Sequence, residues 1–279
     1  MTIFPIQKEV QEVMAARANK KFRQKSFSEI QVFNIEKEKA FSLKSNKSES
    51  SLGRLILVTT PIGDYHDITF RALKSIRESE YLLCEDLKES SKLLRFFGIK
   101  KEMHLLNEHN EKDAVHEYIN VLLSGKNVTL ISDCGTPAFA DPGLSLVNAC
   151  IQNNIEIDFI HGANSVISAV TISGFDISRF YFYGFLSPKN EVRLKELKKI
   201  STLPFPVILM DTPYRLSNLI NDLTVIVPER NIFLALNLSG KNEKQLRGNP
   251  NEILSQLTNL FRDNKPKAEF IVVLDKFVK

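Results

Sequence analysis

Glu85 and Asp86 stand together directly after an apolar run, Tyr81-Leu82-Leu83-Cys84. A carboxylate pair at a strand end can take up or release a proton. It can equally cap the helix that follows, since Asp accepts hydrogen bonds from the first free backbone amides. Glu108-His109-Asn110-Glu111 is a second polar cluster ahead of a helical pattern. It can bind a substrate, or Asn110 can simply be an N-cap. His161, in His161-Gly162-Ala163-Asn164-Ser165, could act as a base or serve only a structural purpose.

Two loops suit the holding of a small molecule. Leu55-Ile56-Leu57-Val58-Thr59-Thr60 reads as a buried strand, and it stops at Pro61-Ile62-Gly63. Ligands of open α/β sheets bind outside the carboxyl ends of such strands. The second loop runs Ser132-Asp133-Cys134-Gly135-Thr136-Pro137-Ala138-Phe139-Ala140-Asp141-Pro142-Gly143. Gly135 permits close approach of backbone to a ligand, and Thr136 offers a hydroxyl. Asp141 is the expected N-cap of the next helix, with Pro142 at its first position. Either loop could also be a plain capped turn.

The elements that must position these residues follow from periodicity. Strands are expected at 55–59, 81–84, 128–132 and 155–160. Helices are expected between them at 67–78, 87–97, 111–124 and 143–153, then at 165–173. This alternation marks an α/β fold with a mostly parallel sheet. The pattern changes near 174–180. Strands at 180–185, 206–210, 231–236 and 268–274 then accompany helices at 190–200, 213–222 and 250–262. The chain therefore divides into a basic extension and linker (1–52), an N-terminal α/β domain (53–175) and a C-terminal α/β domain (176–279).

With 279 residues, 43% of them hydrophobic, the chain can bury a sizeable core. No apolar stretch approaches the roughly 18–20 residues that cross a bilayer, and the start of the chain lacks a secretory signal's apolar block. Cys84, Cys134 and Cys150 sit in apolar contexts and read as reduced core residues of a cytoplasmic protein. No metal-ligand spacing is present, so no metal is expected. The formal charge of +4 lies entirely in residues 1–52, where Arg17, Lys20, Lys21, Arg23 and Lys25 cluster. Such a cluster can track phosphates, or it can be a solvated tail. A mitochondrial presequence is a third reading, which Glu9 and Glu12 oppose. Ile6, Val10, Val13, Met14 and Arg17 fit a short amphipathic helix, and 42–52 reads as a linker.

In order and spacing, a series of motifs resembles the tetrapyrrole methylase superfamily of S-adenosylmethionine-dependent methyltransferases. They are Thr60-Pro61-Ile62-Gly63, Asp67-Ile68-Thr69, Arg71-Ala72-Leu73, Cys84-Glu85-Asp86, Glu108-His109-Asn110-Glu111, Ser132-Asp133-Cys134-Gly135-Thr136-Pro137, Asp141-Pro142-Gly143 and Gly184-Phe185-Leu186. Pro213 with Arg215, Arg247-Gly248 and Lys267-Ala268-Glu269-Phe270 extend the series. The chain is most similar to the branch that methylates a cytidine ribose 2′-hydroxyl in 16S ribosomal RNA. The resemblance implies two α/β domains (a class III methyltransferase fold) with the cofactor in the cleft between them, and a homodimer. S-adenosylmethionine would touch Pro61, Ile62, Gly63, Gly135, Thr136, Phe139, Asn164, Ser165, Met210, Leu236 and Ala268.

Glu85 and Asp86 are the expected catalytic carboxylates. Lys88, Glu108, His109, Arg215 and Lys241 are expected to meet the substrate, with Lys92 and the 17–25 cluster as further RNA contacts. The implied partner is ribosomal RNA or the small ribosomal subunit. Some motifs depart from the family pattern. His161-Gly162-Ala163-Asn164-Ser165 stands for Pro-Gly-Pro-Ser-Ala, and Glu85-Asp86-Leu87-Lys88 for Glu-Asp-Thr-Arg. Met210-Asp211-Thr212-Pro213-Tyr214-Arg215 stands for Tyr-Glu-Ser-Pro-His-Arg. A late Arg-Glu-Leu-Thr-Lys motif is here Leu236-Asn237-Leu238-Ser239-Gly240. Two alternatives stay open on these grounds: a methyltransferase of the same fold with a tetrapyrrole or protein acceptor, and a non-catalytic cofactor binder.

Overall fold

The computed structural model describes residues 52–262 and 266–277. The expected N-terminal helix, the 17–25 cluster and most of the linker lie outside the described residues. The first sheet holds Arg54–Val58 (β1), Tyr81–Cys84 (β2), Met103–Leu105 (β3), Val128–Ile131 (β4) and Glu156–Ile160 (β5). All its pairings are parallel, in the order β3-β2-β4-β1-β5. Helices Phe70–Glu78 (α1), Leu87–Phe96 (α2), Glu111–Leu123 (α3) and Leu144–Gln152 (α4) connect the strands.

Strand order decides which face each helix covers. The steps β1 to β2 and β2 to β3 move one way along the sheet, while β3 to β4 and β4 to β5 move back. Right-handed crossovers put these two sets on opposite faces. The packing agrees. Ala72 and Ile76 of α1 and Leu94 of α2 pack with Val58, Leu82, Cys84 and Ile131. Ala114, Tyr118 and Leu122 of α3 and Leu146 and Cys150 of α4 pack with Leu55, Leu57, Leu83 and Leu130. Cover on both faces is why these strands read as unbroken apolar runs.

The second sheet is mixed. It contains Tyr181–Phe185 (β6), Val207–Asp211 (β7), Ile232–Leu236 (β8), Lys244–Gly248 (β9) and Phe270–Leu274 (β10), in the order β6-β7-β10-β8-β9. Only β6 and β7 pair in parallel. Asn190–Ile200 (α6), Leu216–Ile226 (α7) and Pro250–Phe261 (α8) pack on one face, among Leu209, Leu234, Val272 and Leu274. The helix Ser165–Ser173 (α5) follows the last strand of the first sheet but packs on the other face of the second. Its Val166, Ala169 and Val170 meet Ile208, Phe233, Ala235, Ile271 and Val273. Thus α5 ties the edge of the first sheet to the body of the second.

The α/β fold matches the expectation, with several local differences. The expected helix 67–78 is a 3₁₀ turn, Tyr65–Asp67, followed by α1, because the Thr69 hydroxyl accepts from Ala72 N at 3.1 Å and starts the helix there. The expected helix 213–222 likewise begins as a 3₁₀ turn, Pro213–Arg215, before α7. β3 was not expected, being three residues long at a sheet edge. Nor was β9, whose Lys244, Gln245 and Arg247 give it a polar sequence that suits an unprotected edge.

Phe233 is fully buried under α5, and the Arg247 guanidinium covers its ring at 4.6 Å. Phe233→Ala would leave a cavity in the seam that fixes α5. Chemical denaturation of this variant should show a loss of about 3–5 kcal/mol.

Candidate active site

The loops of interest converge at the carboxyl edge of the first sheet. β2 connects onward in one direction and β4 in the other, so a crevice opens between them, as at the switch points of doubly wound sheets. Thr60 N donates to Gly135 O at 2.8 Å, and the Thr60 hydroxyl donates to Ser132 O at 3.0 Å. These bonds join the loop after β1 to the loop after β4. The Cys134 thiol donates to Ile62 O at 3.5 Å, and Asn164 Nδ2 donates to the Thr136 hydroxyl at 3.4 Å. Gly135 adopts φ 88°, and a Cβ there would stand 3.3 Å from Ile62 Cγ2. Asn164 also caps α5, accepting from Ile167 N at 3.1 Å.

The edge of the second sheet meets this group. A Cβ on Gly63 would lie 2.3 Å from Leu238 O and 2.7 Å from Gly240 N. Backbone therefore lies against backbone at this point, and no other residue fits. Asn237 and Ser239 hold left-handed φ values of 49° and 59° in the opposing loop. Glu243 steadies it by accepting from Ser239 N at 2.8 Å. Phe139 stacks on Phe182 of β6 with ring centres 4.9 Å apart. Phe182 and Met210 both pack on the α5 side of the second sheet.

Acidic groups line the crevice. Asp86 N and the Ser90 hydroxyl donate to Asp133 Oδ1 at 3.2 and 3.4 Å. Burial raises the Asp133 carboxyl, partly offset by the Asp86 amide. Burial also raises Asp141, against a hydrogen bond from Ser132. Glu85 is pushed up to about 7, first by desolvation and then by Asp141, Asp133, Glu108 and Asp86. The Cys134 thiol is pushed up to about 11 by desolvation and by Glu269, Asp141 and Asp133. Solvent nevertheless reaches Cys134, so it lies in the exposed loop after β4 rather than in the core, contrary to the sequence expectation for this cysteine. Cys84 and Cys150 are buried as expected. Among the described residues no group of His, Cys, Asp and Glu is arranged to hold a metal ion.

Residues 54–254 match the family described as Tetrapyrrole (Corrin/Porphyrin) Methylases. The chain belongs to the tetrapyrrole methylase family. It is 37% identical to the ribosomal RNA small subunit methyltransferase I of Thermotoga maritima, over 80% of this chain and 98% of that protein. The Synechocystis protein of the same name is also 37% identical, over 80% of this chain and 79% of its own length. Among solved structures, diphthine synthase superposes with TM-score 0.64 at 17% identity, covering 81% of this chain and 92% of that one. Thermus thermophilus uroporphyrin-III C-methyl transferase complexed with S-adenyl homocysteine gives 0.53 at 14%, covering 79% and 97%. The last two share the fold.

In this methylase the expected cofactor residues fall into two sets. Pro61, Ile62, Gly63, Gly135, Thr136 and Asn164 lie in the three loops at the first sheet's edge, Ser165 opens α5 directly after them, and Phe139 and Met210 lie on the Phe182 wall. Leu236 and Ala268, at 1% and 6% exposure, have their side chains in the core beneath α7 and α8. Only their backbones reach the strand ends.

The expected substrate residues are also dispersed. Lys88, Glu108, His109 and Lys241 are exposed, and the charges of Glu108 and Lys241 act on Glu85 and Asp64 respectively. Arg215 is occupied: its Nη2 donates to Leu186 O and Ser187 O, both at 2.9 Å, and lies 3.1 Å from Asp211 Oδ2. His161 is exposed, with its ring edge-on to Phe159 at 5.1 Å.

Asp86 accepts from Lys88 N at 2.6 Å and Glu89 N at 3.1 Å, so it caps α2. Asp141 does not cap α4, which starts at Leu144 after Gly143. Glu111 of α3 reaches across instead, and its Oε1 accepts from Gly143 N at 3.1 Å and Ser145 N at 3.3 Å. That long-range substitute leaves Asp141 available to the acidic crevice. Sequence reasoning missed Asp133, Asp141 and Glu269 as site carboxylates. The signal available was their position in quoted motifs.

Glu85 titrates above its ordinary value of 4.5 when folded, so folding favours its protonated form. Below about pH 4.5 both folded and unfolded states are protonated, and no penalty exists. The penalty grows as pH rises and is complete above about 7. Glu85→Gln should therefore melt above wild type at pH 8, with the difference closing towards pH 4.5 in paired thermal scans.

Proposed function

We propose that this chain uses S-adenosylmethionine to methylate the 2′-hydroxyl of a cytidine ribose in 16S ribosomal RNA. The observation that carries this is the grouping of Glu85, Asp133 and Asp141 beside the loops of Gly63 and Gly135. Relatives that share 37% of aligned residues are named for ribosomal RNA, whereas the porphyrin and diphthine proteins share 14% and 17%. That difference favours an RNA acceptor over a tetrapyrrole or a protein.

The residues fit the cofactor's chemistry. Several carboxylates held above their ordinary values by burial and mutual repulsion are relieved by a cation, and S-adenosylmethionine carries a sulfonium and an ammonium. Ile62, Gly63, Gly135, Thr136, Asn164 and Ser165 would hold it, with Phe139 and Met210 closing the apolar side. When bound, it supplies a methyl group on a sulfonium sulfur. Glu85 accepts the proton of the ribose hydroxyl as that oxygen becomes a nucleophile. A base held at about 7 matches this task, being about half ionised near neutral pH yet still basic. Asp86 caps α2 and so fixes the turn that presents Glu85. Much of the remaining acceleration comes from alignment of donor and acceptor.

Lys88, Lys92 and Lys241, exposed around this edge, would draw in phosphates, as would the 17–25 cluster. No helix among the described residues is long and apolar enough to cross a membrane; the cytoplasmic location proposed here rests on the ribosomal substrate. We infer two domains, 53–175 and 176–279, behind a basic extension, and assembly as a homodimer.

Single-turnover transfer to small ribosomal subunits tests the assignment. Wild type should deliver one methyl group to a cytidine ribose. Glu85→Gln should slow transfer by roughly 10²–10⁴-fold, the range for acid–base assistance, with little change in cofactor affinity. Asp86→Asn should stay near the wild-type rate, because Asn is also a good cap. A Glu85→Gln protein with full activity would remove the base from this mechanism.

A further inference from the structure

We propose that Tyr214 and Lys267 form a stacking platform for a nucleobase of the RNA substrate at the mouth of the site. This rests on the RNA reading above. A single exposed aromatic ring needs no explanation. Three features set Tyr214 apart.

The first is exposure combined with a cation. Tyr214 is 75% exposed, and Lys267 Nζ stands 4.3 Å from its ring centroid. An open aromatic face beside a mobile cation is the arrangement that holds single-stranded nucleic acid, with the ring taking a base and the cation a phosphate.

The second is a rigid mount. Pro213 opens the 3₁₀ turn that carries Tyr214. Arg215 fastens the other side to Leu186 O, Ser187 O and Asp211. Asp211 is 4% exposed, and it also accepts from Thr212 N at 2.7 Å. The turn is held on both sides of the ring, which lowers the entropy lost when a base binds.

The third is location. Tyr214 follows the end of β7, and Lys267 precedes β10, the neighbouring strand, with Asp211 opposite Phe270. Glu269, two residues after Lys267, is one of the charges acting on Cys134. The platform therefore lies on the edge of the second sheet that faces the acidic floor. That floor repels phosphates. A base-stacking residue with its own cation at the rim supplies the attraction the floor lacks.

The chain contains no tryptophan, so Tyr214→Trp places a single tryptophan, which can be excited selectively, at the platform. A short oligocytidylate should quench its emission, and an abasic oligomer of equal length should not. Tyr214→Ala should weaken RNA binding by roughly 5- to 150-fold, equivalent to losing one base stack. Tyr214→Phe should retain wild-type affinity, and cofactor affinity should be the same in all variants. Lys267→Ala should reduce the log–log salt slope of RNA binding by about 0.7, one single-strand phosphate contact. Equal quenching by both oligomers, no quenching, or wild-type RNA affinity in Tyr214→Ala would overturn the platform. These readouts require no methyl transfer. A wild type that methylates no RNA, beside a Tyr214→Trp variant whose emission is quenched only by the base-bearing oligomer, would refute the acceptor assignment and leave the platform standing.

Discussion

Gly63 lies against Leu238, Ser239 and Gly240 with no room for a side chain between the two backbones. The loop after the first strand of one sheet is thereby pressed onto the loop after β8 of the other. The Thr60 bonds to Gly135 and Ser132 then carry that position to the loop after β4, and Asn164 carries it to α5. α5 closes the circuit by packing across the far sheet. Four segments distant in sequence hold one another in place, and the crevice is what remains among them. Its geometry depends on close-packed backbone rather than on a few side-chain bonds, which suits a site whose main task is alignment.

Electrostatics within that frame are unfavourable by design of the chain. Glu85, Asp133 and Asp141 are desolvated and feel one another's charge, so their carboxyls are held above their ordinary values. Such strain at one place in a stable fold is a usual sign of a working site. It is tolerated because the sheet beneath is covered on both faces and supplies the burial that stabilises the whole. A positively charged ligand reverses the sign of the interaction, turning mutual repulsion into shared attraction.

The family motifs that differ in this chain have structural substitutes. No charged pair occupies 236 and 237, but Asn237 accepts from Glu269 N at 3.2 Å through its side chain and donates its backbone amide to Glu269 O at 2.8 Å. Glu243 supports Ser239 from the same turn. Arg215, retained from the family pattern, holds the loop after β6 by its carbonyls, and this leaves Tyr214 as the outward residue. Positions that look like losses in a linear comparison are thus parts of a loop rebuilt around backbone contacts.

Local chemistry determined much of this protein. The strands Tyr81–Cys84 and Val128–Ile131 were legible because both faces of a parallel strand are apolar. Asp86 was legible at a helix start because an N-cap needs only its own side chain and the next amides. The loops that meet at the crevice were legible as Pro-Ile-Gly and Gly-Thr-Pro turns after strands. What tertiary structure decided is what each polar residue is free to do. Asp141 reads as a cap, and only the reach of Glu111 from another helix releases it. Arg215 reads as a substrate contact, and only the position of the loop after β6 occupies it. Leu236 and Ala268 read as cleft residues, and only the helices packed on this face of the second sheet turn their side chains into the core. β3 and β9 are too short or too polar to signal themselves, and their pairing neighbours alone make them strands. Hydrogen-bond partners and burial are set by residues far away in the chain, so no local pattern can specify them.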